Sequence, residues 1–161
     1  MTKMVWLAPA VMALMVGCQP ADHGAPTADV EYLQLPMYEG QDLPFSAAVR
    51  VDNMLYLSGI IGLAPGELKP VPGGVKAEAK QALEIMKNQL ETFGSSMDRV
   101  VKCTVFLADE SDRDAFNEVY VTYFDKKPAR SGVTVSGLAL GARLELECIA
   151  AMNWNSRQLA F

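Results

Sequence analysis

Histidine is almost missing from this chain of 161 residues. The single one, His23, stands in a stretch of proline, glycine and acidic residues near the N-terminus, so the rest of the chain can assemble no Ser-His-Asp or Cys-His arrangement and no histidine metal ligand. Triads, zinc sites and histidine-based ribonuclease chemistry all lose their main residue. Positive charge is scarce too: 14 Lys and Arg stand against 19 Asp and Glu, a formal net charge of -5. Affinity for nucleic acid depends on neutralising phosphates, so this balance argues against a nucleic-acid surface. Cysteine occurs at only 3 positions. Two of them, Cys103 and Cys148, fall in apolar, strand-like runs, which suits either buried free thiols or, in an oxidising compartment, a disulfide between them. Internal repeats and low-complexity segments are absent.

The N-terminus is unlike the rest. MTKMVWLAPAVMALMVGC places Lys3 before an apolar run from Val5 to Val16, then Gly17 directly before Cys18. That is the layout of a secretory signal, and the run is too short to span a bilayer as a stable helix. Leu14-Met15-Val16-Gly17-Cys18 also resembles a bacterial lipobox, which implies cleavage before Cys18, diacylation of its thiol and a mature chain held by its lipids. Gln19 after the cysteine resembles the pattern of lipoproteins sent to the outer membrane rather than kept at the inner one. The sequence thus predicts an exported protein, anchored at the periplasmic face of a bacterial membrane; the alternative is an ordinary cleaved signal with an unmodified cysteine. Residues 19–42 carry proline, glycine and acidic residues without sustained periodicity, and read as a flexible tether spanning roughly 25 Å. Residues 43–153 make one domain, large enough for one core but small for a deep enclosed site, and 154–161 form a tail.

Within that domain, PFSAAVRVDN and MLYLSGIIG are β-rich runs joined at Asp52-Asn53, which suits a tight hairpin. From Val75 to Phe93 apolar residues recur at helical spacing, and Gly94 stands where a C-cap belongs. Val100 to Ala108 reads as a third strand. Ser111 to Phe124 reads as a second helix, capped by Ser111 or Asp112, with Phe116, Val119, Tyr120 and Tyr123 on its inner side. Arg130 to Val135 and Arg143 to Met152 are the last strands. The order ββαβαββ predicts an α+β sandwich with two helices on one face of a mixed sheet.

One feature of that sandwich is costly. Arg130, Glu145 and Glu147 stand in or beside core-like strands, where ion pairs usually return less than they cost. From spacing alone, Arg130 and Glu145 fit either a functional pair or an interface ion pair that sets subunit register. Asn117 fits a binding group or a helix residue bonding a nearby loop backbone. Ser58 before Gly59 fits a binding group or plain turn chemistry.

Ser58-Gly59, the Asn117-x-x-Tyr120-x-x-Tyr123-Phe124 helix, Pro128-Ala129-Arg130-Ser131 and the later Leu144-Glu145 together resemble the reactive-intermediate-deaminase family, the RidA or YjgF-type proteins. The resemblance covers about residues 43 to 152. It implies a chorismate-mutase-like α+β fold, assembled as a homotrimer with three clefts between subunits, and hydrolysis of enamines and imines such as 2-aminoacrylate and 2-iminobutanoate to 2-keto acids and ammonia without a cofactor. It also implies the roles. Arg130 would grip the substrate carboxylate with its planar fork. Glu145 would deprotonate water and return a proton to the leaving nitrogen. Asn117, Gly132, Ser58 and Phe45 would line the cleft, and no metal would be needed. Glu147, on the same face as Glu145, is left outside the catalytic set.

Three positions depart from the family pattern. Phe45 stands for a tyrosine, Gly132 for a cysteine and Ile60 for a glutamine, which predicts a more apolar and roomier pocket near the arginine and a different or bulkier substrate. The alternative function is a lipid-anchored trimer that binds a small carboxylate without turnover. A ribonuclease is disfavoured by the acidity and the lack of a histidine in the domain.

Overall fold

The structure is a computed structural model and describes residues 27–35 and 43–153. The expected signal, Cys18 and the C-terminal tail lie outside the described residues, as do 19–26 and 36–42 of the expected tether.

Strands β2 (Ala48–Val51) and β3 (Met54–Leu57) form the expected hairpin, paired antiparallel with Val51 opposite Met54. Asp52 closes it in the left-handed region at φ 50, which its short polar side chain tolerates. A strand also runs where the tether was expected: β1 (Val30–Leu33) pairs antiparallel with β2 at one edge of the sheet. Val-Glu-Tyr-Leu is too short and too exposed for periodicity to mark it. It holds through ladder bonds and through Arg50, which reaches Asp29 and Glu31 at 3.1 Å each.

Helix α1 (Gly74–Thr92) turns Ala79, Ala82, Leu83, Met86 and Leu90 inward, all fully buried. Each large side chain of that stripe contributes about 1.5–3 kcal/mol relative to exposure. Its end is a Schellman motif: Gly94 adopts φ 81, its N–H donates to Glu91 O, and Ser95 N–H donates to Leu90 O. Next come β4 (Val100–Leu107), α2 (Arg113–Tyr120), β5 (Ala129–Thr134) and β6 (Leu144–Ala151). The six-stranded sheet has the order β1-β2-β3-β6-β4-β5, with β4 and β5 parallel and the other pairs antiparallel. Both helices cover one face, as the element order predicted, and the core lies between them and the sheet.

The second helix is shorter than its sequence suggests. It stops at Tyr120 because Thr122 gives both its N–H and its hydroxyl to Val119 O, closing a tight turn. Tyr123 and Phe124 follow it, yet Phe124 stays buried and stacks 4.7 Å from Tyr120. The cap also differs. Asp109 accepts from the Ser111 N–H and hydroxyl and starts a short 3-10 turn (Glu110–Asp112) ahead of the helix. Asp112 is instead buried and takes Arg143 in a two-pronged bond at 2.7 and 2.9 Å, while Glu78 accepts the Arg143 backbone N–H. This network ties α1, the start of α2 and the entrance of β6 together.

The question of the thiols is answered by register. Cys103 and Cys148 are directly opposite on β4 and β6, both buried, and form a disulfide.

Candidate active site

Strand alternation decides where each functional side chain goes. On β6, Leu144, Leu146, Cys148 and Ala150 are buried beneath the helices, so Glu145 and Glu147 project from the opposite, open face. On β5, Arg130 pairs with Cys103, and Cys103 pairs with Cys148. Arg130 therefore projects to the helix face. The two residues expected to share one reaction are on opposite sides of the sheet within a chain.

On the helix face, the Arg130 guanidinium lies over two rings of α2, 4.6 Å from the centre of Tyr120 and 5.7 Å from that of Phe116. Both rings are buried, so they serve the core, as expected, and they also hold the arginine in place by cation–π attraction. No carboxylate among the described residues pairs with Arg130. Burial raises the Tyr120 hydroxyl above the usual phenol range, against the opposing pull of the Arg130 charge. That hydroxyl and the Asn117 side-chain oxygen, three residues earlier on the same helix, are buried without a hydrogen-bond partner. Asn117 Oδ1 thus does not serve a loop backbone. Gly132, next on the Arg130 face, lies against Arg113: a Cβ there would stand 3.0 Å from Arg113 Nη1.

On the open face, Glu145 rests directly on Gly59; a Cβ on Gly59 would coincide with its carboxylate. Gly59 is glycine because the acid occupies that space. Ser58 beside it donates its hydroxyl to Ser46 O at 2.6 Å, next in the chain to Phe45, a residue 58% exposed. Ser58 and Glu145 thus lie close together, with Phe45 one residue from the carbonyl that Ser58 bonds, and Arg130, Asn117 and Gly132 belong to the helix side.

Two expectations about the pocket are corrected. Ile60 is bridged to Leu146 and buried in the core, so it does not make the pocket more apolar. The room opened by Gly132 is not empty, because Arg113 fills it with a guanidinium. Arg113 and its partner Glu110 were not singled out from sequence; the i, i+4, i+7 spacing of Arg113, Asn117 and Tyr120 is the signal that marks one polar helix face. Among the described residues no cluster of His, Cys, Asp or Glu is arranged to hold a metal ion.

A single mixed sheet with both helices on one face, an arginine free of acid partners among the described residues and a carboxylate on the other face define a small α+β protein with a divided site. Residues 40–152 match the family described as endoribonuclease L-PSP, and the chain belongs to this family, that of the RidA and YjgF proteins. It is 47% identical over 108 residues to a mouse protein named 2-iminobutanoate/2-iminopropanoate deaminase, covering 66% of this chain and 80% of that one. Among solved structures it is similar to RidA from an Antarctic Psychrobacter, with a TM-score of 0.65, 38% identity and coverage of 69% and 90%. It is likewise similar to E. coli TdcF with bound serine, with a TM-score of 0.65, 33% identity and coverage of 69% and 90%.

Proposed function

We propose that this protein hydrolyses reactive enamines and imines of the 2-aminoacrylate and 2-iminobutanoate type to 2-keto acids and ammonia, without a cofactor. The observation that carries the reading is Arg130: an arginine seated over two buried rings, with no acid paired to it among the described residues, is a ready clamp for a planar carboxylate. The names of the relatives at 45–47% identity support the same chemistry.

Arg130 grips the substrate carboxylate and fixes the imine carbon in place. An enamine first tautomerises to its imine. The imine nitrogen takes a proton from solvent, and Glu145 takes a proton from water as the water oxygen adds to the carbon and the C=N electron pair moves to nitrogen. Glu145 then returns its proton to the nitrogen, the C–N bond breaks as the hydroxyl oxygen's electrons form the keto group, ammonia leaves, and the hydroxyl proton goes back to solvent.

Because Arg130 and Glu145 occupy opposite faces, one chain cannot bring them together. A homotrimer solves this, each cleft taking Arg130, Asn117 and Gly132 from one subunit and Glu145, Ser58 and Phe45 from the next. The open face that carries Tyr56, Lys102, Thr104, Glu147 and Ile149 supports such burial between copies. We place the protein in the periplasm, lipid-anchored through Cys18 and facing it from the outer membrane. The Cys103–Cys148 disulfide supports an oxidising compartment. Replacing Cys18 with Ser should release the chain from the membrane fraction.

The test supplies 2-iminobutanoate generated in situ and follows keto-acid release. Wild type should accelerate it, and Arg130→Ala and Glu145→Gln should each lose roughly a hundredfold or more. If wild type matches buffer while a 2-keto acid still protects it thermally through Arg130, the protein binds without turnover and the hydrolase reading fails.

A further inference from the structure

Gly132 has no backbone reason to be glycine, since it is not among the glycines of positive φ. What stands in the way of a side chain is Arg113. Nε and Nη2 of Arg113 donate to the two carboxylate oxygens of Glu110 at 2.5 and 2.7 Å. Thr134, two residues beyond Gly132 on the same face, donates its hydroxyl to Glu110 Oε2 at 2.5 Å. Glu110 is held at a pKa of about 2, chiefly by Arg113 and then by Thr134, so it stays ionised and keeps the clamp closed.

The clamp uses one edge of the guanidinium and leaves Nη1 without a hydrogen-bond partner among the described residues, directed at the space over Gly132. Along β5, Gly132 is two residues from Arg130 on the same face, or about 7 Å. A 2-imino acid gripped at its carboxylate by Arg130 carries the end of a four-carbon skeleton about 4–5 Å from that carboxylate. If the substrate extends along β5 from Arg130, that end approaches Arg113 Nη1 over Gly132.

We propose that Arg113 is a specificity residue: its Nη1 donates to a carbonyl oxygen on the substrate side chain, so the protein prefers 2-imino acids ending in a carboxamide to aliphatic ones of the same shape. This rests on the imine-hydrolase reading above. An aliphatic end would cover Nη1 and strip its water without replacing the bond, whereas a carboxamide oxygen replaces it. A second carboxylate fits less well, because Glu110 already neutralises this guanidinium and would face the added negative charge across it.

The experiment compares imines released in situ by an amino-acid oxidase from asparagine and from leucine, whose side chains differ by a carboxamide in place of an isopropyl group. The wild type should show a kcat/KM at least about tenfold higher for the asparagine-derived imine. Arg113→Met should collapse that ratio towards one, and Gly132→Ala, whose added Cβ presses on Nη1 and shifts it by a few tenths of an ångström, should lower it by a smaller factor. Affinities for the corresponding 2-oxo acids, measured by calorimetry on the same proteins, should shift in parallel and give a readout independent of turnover. Hydrolysis of both imines at similar rates by the wild type, or a ratio unchanged in both variants, overturns the role of Arg113 alone. Hydrolysis of neither imine, nor of 2-iminobutanoate, overturns the hydrolase reading and the Arg113 assignment with it.

Discussion

Arg130 and Glu145 project from opposite faces of one sheet, separated by the β4 strand through which their registers are linked: Arg130 lies beside Cys103, and Glu145 beside Phe106. Three residues apart on β4 is an odd number, and side chains alternate, so no rotamer change unites the two groups within a chain. A reaction that uses both needs a second copy.

That relationship predicts complementation. Arg130→Ala and Glu145→Gln proteins, each inactive alone, should regain activity when co-refolded, because some clefts then combine an intact arginine from one subunit with an intact glutamate from the next. Random mixing of equal amounts leaves about one cleft in four complete. Mixed samples that stay as inactive as either parent would place both groups in the same subunit's site.

Gly59→Ala probes the other half. The added methyl would fall on the Glu145 carboxylate rather than on backbone, and Gly59 does not require a positive φ, so the fold should hold while the acid moves. A displacement of about 1 Å in a catalytic group costs on the order of a hundredfold in rate, and kcat should drop by about that much while 2-keto acid affinity through Arg130 changes little. An equal loss of affinity would show that Gly59 shapes binding instead.

The Cys103–Cys148 disulfide joins residues 45 apart in sequence. Closing a loop of that length restricts the unfolded chain by an amount worth on the order of 4 kcal/mol in the chain-entropy account. Urea unfolding with and without reductant should reveal a loss of about 2–4 kcal/mol on reduction. An unchanged midpoint, with the thiols shown to be free, would mean that packing alone sets the stability here.

Glu110 gives a dependence on pH. Its folded pKa of about 2, lowered first by the Arg113 bond and then by Thr134, lies below the value near 4.3 expected for an unfolded glutamate. A depressed folded pKa contributes stability that is full above the unfolded value and is lost as pH falls towards about 2. The difference in unfolding midpoint between wild type and Glu110→Gln should therefore be constant above about pH 5 and shrink as the solution is acidified. A difference that persists at pH 2 would assign the effect to shape rather than charge.

Much of this molecule was legible in one dimension. The apolar spacing of α1 and Gly94 behind it, the hairpin at Asp52-Asn53 and the strand runs reflect local periodicity and local turn chemistry. Pro128-Ala129-Arg130-Ser131 with Leu144-Glu145 carried the family. The edge strand at Val30–Leu33 was not legible, since four exposed residues bury too little to leave a pattern and owe their conformation to the neighbouring strand. The early end of α2 was hidden because Thr122 competes for a helical carbonyl, which composition does not display.

The site divides the same way. Sequence by itself determined which residue types were available: an arginine without histidine near it, two carboxylates spaced to share a face, a glycine where a side chain could have stood. Only the tertiary structure decided that Arg130 sits over Tyr120 and Phe116, that Cys103 meets Cys148, that Ile60 is core and that Arg113 fills the space over Gly132. The physical reason is register. Identity and alternation along a strand are local, but which face a strand presents, and what stands across from it, depends on pairing with strands distant in the chain.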